Sequence, residues 1–253
     1  MKRTLLTLVL VLVALGGFGA LDLGQHTVAA ARPPACKKLE FEQALFTVCN
    51  FDSRTQTISL LSTGTPSTKA FARSRLQASK LSFAMNAGMF HSDGTPVGLL
   101  VINGRAVAPL NVSEGNGNFF WKPNGVFSVD LDGTVRATTT DAFIAGGFQR
   151  SAVSAAQSGP MLVIDGALHP GMPPDSIHVQ TRNAVAECGR FLANFIITES
   201  AVSFGKLARF IRDRLGCRNA LYLDGAISSL WWPEGGRKDV AHRISTVVAV
   251  MRR

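Results

Sequence analysis

Residues 191–225 read "FLANFIITESAVSFGKLARFIRDRLGCRNALYLDG". The first eight residues are an apolar run of strand length, closed by Glu199-Ser200. From Phe204 the period changes. Phe204, Leu207, Ala208, Ile211 and Leu215 fall on one helical face, with Ser203 at the N-cap and Gly216 just past the end. "NALYLD" is then a second strand. A strand, a helix and a strand in this space make a βαβ-like crossover. It puts Asp224 at the carboxyl end of the second strand, where open α/β sheets gather their chemistry.

Upstream, short strands are expected at Leu45–Phe51, Thr57–Leu61, Leu81–Asn86, Gly98–Ile102 and Val126–Leu131. Two hairpins are marked by their turns: Asn103-Gly104 in "LLVINGRAV" and Asp132-Gly133 in "GVFSVDLDGTVRATT". The pattern predicts an α+β fold, a single domain of many short strands in a mixed sheet. Its helices are few, and it carries the strand–helix–strand unit near its C-terminus. With 253 residues, 46% hydrophobic and 17% charged, the chain can bury one sizeable core.

Lys2 and Arg3, the apolar run Leu5–Leu15 and the small residues after it predict a signal peptide over residues 1–31. An uncleaved anchor is the alternative, and only then would the chain contact a membrane. Residues 32–44 read as a linker or N-terminal segment, and residues 45–253 as the domain. Loss of residues 1–31 would remove Lys2, Arg3 and Asp22 from 26 basic and 17 acidic residues, leaving a net +8. That excess favours an anionic partner. The charges are scattered, with no run of five Lys or Arg. The expected partner is therefore an anionic sugar phosphate or envelope polymer of a periplasmic or secreted protein, and not nucleic acid; nothing indicates an oligomeric state. Four cysteines allow three pairings, and proximity favours Cys36–Cys49 and Cys188–Cys217. No Cys-x-x-Cys or paired-His spacing suggests a metal, and no cofactor is expected.

Four stretches occur in a telling order: "FAMNAGMFHSDGTPVGLLVINGR" (83–105), "SGPMLVIDG" (158–166), "RNAVAECG" (182–189) and "FGKLARFIRDRLGCRNALYLDGAISSLW" (204–231). Together they resemble the phosphodiester glycosidase family, over about residues 45–251, and within it the small exported bacterial members. The resemblance implies hydrolysis of the bond between a sugar anomeric carbon and a phosphodiester oxygen. Such a phosphate leaving group has a second pKa of about 6, so a strong proton donor is dispensable, unlike in ordinary glycosidases with their two carboxylates. Two departures stand out. Ala226-Ile227 replaces a Gly that commonly follows Asp-Gly, which would narrow the pocket, and Ala186 ends an Arg-x-Ala-Val-Gly pattern.

On this reading Asp224 is the base or nucleophile, though Asp-Gly is also a plain turn. Arg182 would clamp phosphate with its guanidinium fork, or else serve a structural ion pair. Asn86 would orient a sugar hydroxyl or merely occupy a turn. Asn183, Ser228 and Ser229 would support substrate. Trp231 or Trp232 would stack on a sugar ring, since adjacent side chains of an extended segment point to opposite faces. His91 is a possible substrate contact in a loop, and Glu199 a possible second carboxylate. No Gly-x-Ser-x-Gly surrounds either serine. Two alternatives remain open: a sugar-phosphate-binding module without turnover, and a phosphodiesterase that cuts phosphorus–oxygen.

Overall fold

In the computed structural model, which describes residues 34–73 and 77–253, the alternation of the sequence becomes seventeen strands. In chain order these begin with β1 (Cys36–Phe41), β2 (Ala44–Asp52), β3 (Gln56–Ser67), β4 (Leu81–Asn86), β5 (Leu100–Ile102) and β6 (Arg105–Ala108). Then come β7 (Gly125–Asp130), β8 (Val135–Thr139), β9 (Ala152–Ser158), β10 (Met161–Ile164) and β11 (Ala167–Leu168). The last are β12 (Asn183–Gly189), β13 (Leu192–Thr198), β14 (Asn219–Tyr222), β15 (Leu230–Trp232), β16 (Arg237–Lys238) and β17 (Ile244–Arg252). The α-helices are α1 (Ala70–Arg73), α2 (Thr140–Ala145) and α3 (Phe204–Arg209).

Three sheets result, in the orders β1-β2-β13-β12-β14-β10-β11, β16-β15-β4-β17-β3 and β6-β5-β9-β7-β8. The expected mixed sheet is corrected here. Every paired neighbour is antiparallel, because β12 lies between β13 and β14 and pairs antiparallel with both. The two strands of the crossover are parallel to each other without being adjacent. The fold class, α+β with few helices, stands.

Period-2 alternation explains the layering. Along β12 to β14, Val185, Phe195, Ile197 and Leu221 enter a core shared by all three sheets. Their neighbours Ala184, Ala186, Ile196, Ala220 and Tyr222 face the helix side. The outer faces of the other two sheets are covered by α1, through Phe71, and α2, through Phe143. Phe195 is where the sheets meet: its ring lies 5.4 Å from that of Phe83 on β4 and 5.5 Å from that of Phe127 on β7.

The expected helix exists but is not uniform. α3 is capped by Ser203, whose hydroxyl accepts from Lys206 N–H, and Phe210–Arg214 then widens into a π-helical turn. The wider turn buries Phe210 together with Ile211, and Phe210 stacks on Phe46 of β2 with centroids 3.9 Å apart. Gly216 follows at φ 68, the left-handed conformation foreseen at its position. Both hairpins form as read, with Asn103 and Gly104 at φ 50 and 75.

The disulfides are Cys36–Cys49 and Cys188–Cys217. The first ties β1 to β2, so the linker reading of residues 32–44 is corrected: residues 36–41 are an edge strand paired along their whole length. Their alternation is weak because an edge strand buries little. The signal-peptide segment, residues 1–31, lies outside the described residues. Among the described residues no helix is long and apolar enough to cross a membrane.

Replacing Phe195 by Ala should open a cavity at the junction of three sheets and cost about 3–5 kcal/mol. Urea unfolding should show a lower midpoint with a single transition.

Candidate active site

The end of β14 is held by all three sheets. Asn86 closes β4, Asn183 opens β12, and Ser158 closes β9. Asn86 Oδ1 accepts from Asn183 Nδ2 at 2.9 Å and from Ser229 N–H at 2.8 Å, while Asn86 Nδ2 donates to the Asp224 carbonyl at 3.1 Å. Asn183 Oδ1 accepts the Asp224 N–H at 2.8 Å, and its Nδ2 also donates to the Asn86 carbonyl. Ser158 donates its hydroxyl proton to the Leu223 carbonyl at 2.6 Å. Both amides and Ser158 are buried.

The peptide groups on either side of the Asp224 α-carbon are thus fixed, while its carboxylate makes no hydrogen bond among the described residues. Burial pushes its pKa up to about 7, and no cation offsets that shift. Such a carboxyl exchanges a proton near neutral pH, as an acid–base group requires.

Two residues behind Asp224 lies Tyr222, the one tyrosine of the chain. Its hydroxyl accepts the Gly225 N–H at 2.6 Å. A side chain at Gly225 would collide with that hydroxyl and with the Thr181 carbonyl. This is the close approach that demands glycine. The Ala226 methyl is instead exposed, and Ile227 packs against the cluster of Phe71 and Trp231. The departure from Asp-Gly-Gly therefore does not press on this cluster.

Arg182 is 3% exposed. Its guanidinium lies 3.7 Å above the Phe204 ring and 5.8 Å from the Tyr222 ring centre. Nε donates to the Val202 carbonyl at 2.8 Å and Nη2 to the His178 carbonyl at 3.0 Å; Nη1 has no hydrogen-bond partner. No carboxylate pairs with it among the described residues, and burial depresses its pKa against the opposing influence of Tyr222. Two main-chain carbonyls thus take the Nε proton and one Nη2 proton, leaving three of the five guanidinium N–H donors. Arg182 also lines a cavity of ≈ 300 Å³ with Trp121, Phe204, His178 and Gln180.

The remaining candidates divide. Asn86, Asn183 and Ser229 join the Asp224 cluster, but Ser228 and Ser229 are buried with hydroxyls donated to the Gly225 and Ile227 carbonyls. Trp231 is corrected from sugar wall to core: it is 8% exposed, packs near Phe71, and has the Lys238 ammonium 4.0 Å from its ring centre. Trp232 faces the shared core, with its Nε1 unpartnered. Glu199 is corrected too. It accepts from Thr47 and pairs with Arg237 at 2.5 Å, an ion pair and not a second free carboxylate. His91 is exposed in the 91–95 turn, its N–H bonded to the Thr95 carbonyl. Ser158 and Tyr222 were not singled out from sequence. A lone tyrosine inside an apolar strand was the available signal, because its buried hydroxyl must find a partner.

Among the described residues no group of three or more His, Cys, Asp and Glu side chains is placed to hold a metal ion.

A family model for phosphodiester glycosidases matches residues 79–251. The uncharacterised protein YigE of Escherichia coli K12 is 33% identical over 176 residues, 69% of this chain and 67% of that protein. The fold is similar to the catalytic domain of zebrafish N-acetylglucosamine-1-phosphodiester alpha-N-acetylglucosaminidase, auto-inhibited there by its pro-peptide. That match has a TM-score of 0.59 and 16% identity, over 89% of this chain and 86% of that one. A hypothetical protein from Synechocystis matches at 0.54 and 15%, over 86% and 61%. A Burkholderia pseudomallei K96243 protein described as exported matches at 0.51 and 12%, over 82% and 74%. At such identities the structural likeness speaks for the fold alone.

Two stability predictions follow from the charges. Asp224 binds its proton more tightly folded than unfolded, so the wild type is unpenalised below pH ~4 and loses stability as pH rises to about 7. Asp224→Asn should therefore stabilise the fold above pH ~7 by up to about 4 kcal/mol, and by nothing near pH 4; melting temperatures across that range check it. Arg182→Lys should lower stability by about 1–3 kcal/mol, since one ammonium cannot serve both carbonyls and stack on Phe204. An unchanged melting temperature would refute the structural share of its role.

Proposed function

The chain belongs to the phosphodiester glycosidase family, and from that premise we propose that it is an exported hydrolase of a sugar-1-phosphodiester in an envelope polymer or glycan. The observation that carries the reading is Asp224: its main chain is clamped by two buried amides while its carboxylate stands unpartnered and desolvated. A carboxylate kept from every cation costs stability, which argues for use in chemistry and not in structure.

In this reading the anomeric carbon–oxygen bond breaks and the phosphate monoester departs with the bonding pair. The leaving group is a weak base, so one carboxylate suffices. Ionised Asp224 acts as base or nucleophile, water supplies the new anomeric oxygen, and its proton passes to the carboxylate and then to solvent. Arg182 contributes positive charge, and its remaining N–H donors, to the departing phosphate. The two disulfides support export to an oxidising compartment.

Hydrolysis of a sugar-1-phosphodiester in oxygen-18 water should label the released sugar, read before anomeric exchange, and leave the phosphate monoester unlabelled. kcat/KM should climb to a plateau through pH ~7 as Asp224 ionises, and Asp224→Asn should abolish turnover with the fold intact. Label in the phosphate would assign phosphorus–oxygen cleavage. Normal turnover by Asp224→Asn would remove Asp224 from the reaction.

A further inference from the structure

A second cavity lies at the far end of the molecule from Asp224. β4 and β9 end beside Asp224, so their antiparallel partners β17 and β7 end at the opposite side, where β2 also ends and β13 begins. The cavity there measures ≈ 380 Å³, within the roughly 300–1,000 Å³ of small-molecule sites. Phe51, Ile58, Val129 and Val153 supply apolar lining, and Leu131, 85% exposed, stands at the rim. Phe191 also lines it, with the Arg54 and Arg190 guanidiniums 5.9 and 5.0 Å from its ring centre. Aliphatic and aromatic surface gathered beside an exposed leucine favours an apolar group as occupant.

Polar groups supply the second, independent argument. Asp130 closes β7, lines the same cavity and is buried. Its Oδ2 accepts one bond from Arg136 Nη2 at 3.0 Å, but its Oδ1 has no hydrogen-bond partner. Arg136 is itself held over the Phe148 ring at 4.4 Å. Ser128 Oγ, Arg136 Nε and Thr138 Oγ1 are buried without partners as well. Four of the six such atoms among the described residues thus sit on the β7–β8 pair, where Ser128 stands opposite Arg136. Unpartnered buried groups are costly, and a cationic donor is what the Asp130 oxygen lacks. The opposite sign stands close by. Arg253 donates to the Arg54 and Ser53 carbonyls at 3.2 and 2.9 Å and forms no ion pair among the described residues, whereas Arg54 is paired with Asp52 and Asp132 with Arg190.

We propose that this cavity binds a small zwitterion with an apolar side chain, a free amino acid or the end of a short peptide. Its ammonium group meets Asp130, its carboxylate meets Arg253, and its side chain lies against the apolar lining. An anion alone would be repelled by Asp130, and a cation alone by Arg253 and Arg54. A ligand that carries both charges is complementary to both. The site shares no residue with the Asp224 cluster and does not rest on the function proposed above.

Calorimetry on the wild-type protein tests this with leucine, leucyl-leucine, N-acetylleucine, which lacks the ammonium group, and leucinamide, which lacks the carboxylate. At least one of the two zwitterions should bind, and the matching blocked forms should bind about tenfold more weakly or worse. A preference for leucine would assign a free amino acid, and a preference for leucyl-leucine a peptide end. Asp130→Asn should abolish the discrimination against N-acetylleucine, and Arg253→Gln that against leucinamide. Thr57→Trp, which fills the cavity from an exposed position on its wall, should abolish all binding. Circular dichroism confirms that each variant is folded; were Asp130→Asn to unfold, Arg253→Gln and Thr57→Trp carry the test. Asp224→Asn should bind the probes as the wild type does, so the outcome is independent of any hydrolase activity. Failure of every probe to bind, equal affinity for the blocked forms, or undiminished binding in folded Thr57→Trp would overturn the site.

Discussion

The pairing of two buried amides, Asn86 and Asn183, holds the centre of this protein together. Each belongs to a different sheet, and each uses its donor and its acceptor at once. Asn86 gives its Nδ2 proton to one side of the Asp224 residue, and Asn183 accepts the N–H on the other. Between themselves they share the Nδ2–Oδ1 bond that closes the set. An aspartate at either position would lack the donor, and a leucine would leave several main-chain groups unpaired in a low-dielectric interior where such groups are costly. With Ser158 on the Leu223 carbonyl, the third sheet joins the same short segment. The three-sheet architecture and the position of one carboxylate are therefore a single constraint.

That constraint keeps two charges apart. Arg182 is buried and Asp224 partly so, yet neither is paired with a counter-charge among the described residues. Tyr222 borders both, and burial raises its own pKa while the Arg182 charge opposes that rise. The phenol is large enough to separate the pair and polar enough to hold Gly225. Stability given up here is recovered in the apolar layers, where Phe195 joins the sheets and Phe210 stacks on Phe46. The π-helical turn belongs to that recovery, because it seats Phe210 against the sheet.

The sequence made the local elements legible and the tertiary ones only in part. Asn103-Gly104, Asp132-Gly133, Ser203 and Gly216 act through neighbouring backbone, so composition reveals them. Sheet order does not follow from local pattern: nothing in "RNAVAECG" says that β12 inserts between β13 and β14, and so the crossover looked like one with adjacent parallel strands. Asp224 was legible as a strand-end carboxylate, and Asn86 and Asn183 as polar residues bounding apolar strands. Their bonds to main chain across two sheets were not legible, because contacts between residues about a hundred positions apart leave no periodic trace. Trp231 and Glu199 were misplaced for a related reason. Whether an indole or a carboxylate is free depends on partners such as Lys238 and Arg237 that only the fold supplies.

Those partners show how the loop from Asp224 to Leu230 is tensioned. At its start Asp224 is gripped by the two amides. At its end the Leu230 N–H is accepted by Asp239 at 2.9 Å, and Asp239 is held by Arg237, which also binds Glu199 at the end of β13. Between these anchors the Ser228 and Ser229 hydroxyls turn back onto the loop's own carbonyls, and Ala226 alone is exposed. The two serines that the sequence offered as supports for substrate, and Glu199 offered as a second carboxylate, thus serve as internal ties. A loop pinned at both ends and stitched within loses little further entropy when it meets a ligand, and preorganisation of this kind is what a lone carboxylate needs to act without a partner. Among the described residues no second free carboxylate stands beside Asp224, and the rigidity of its surroundings is the other side of that arrangement.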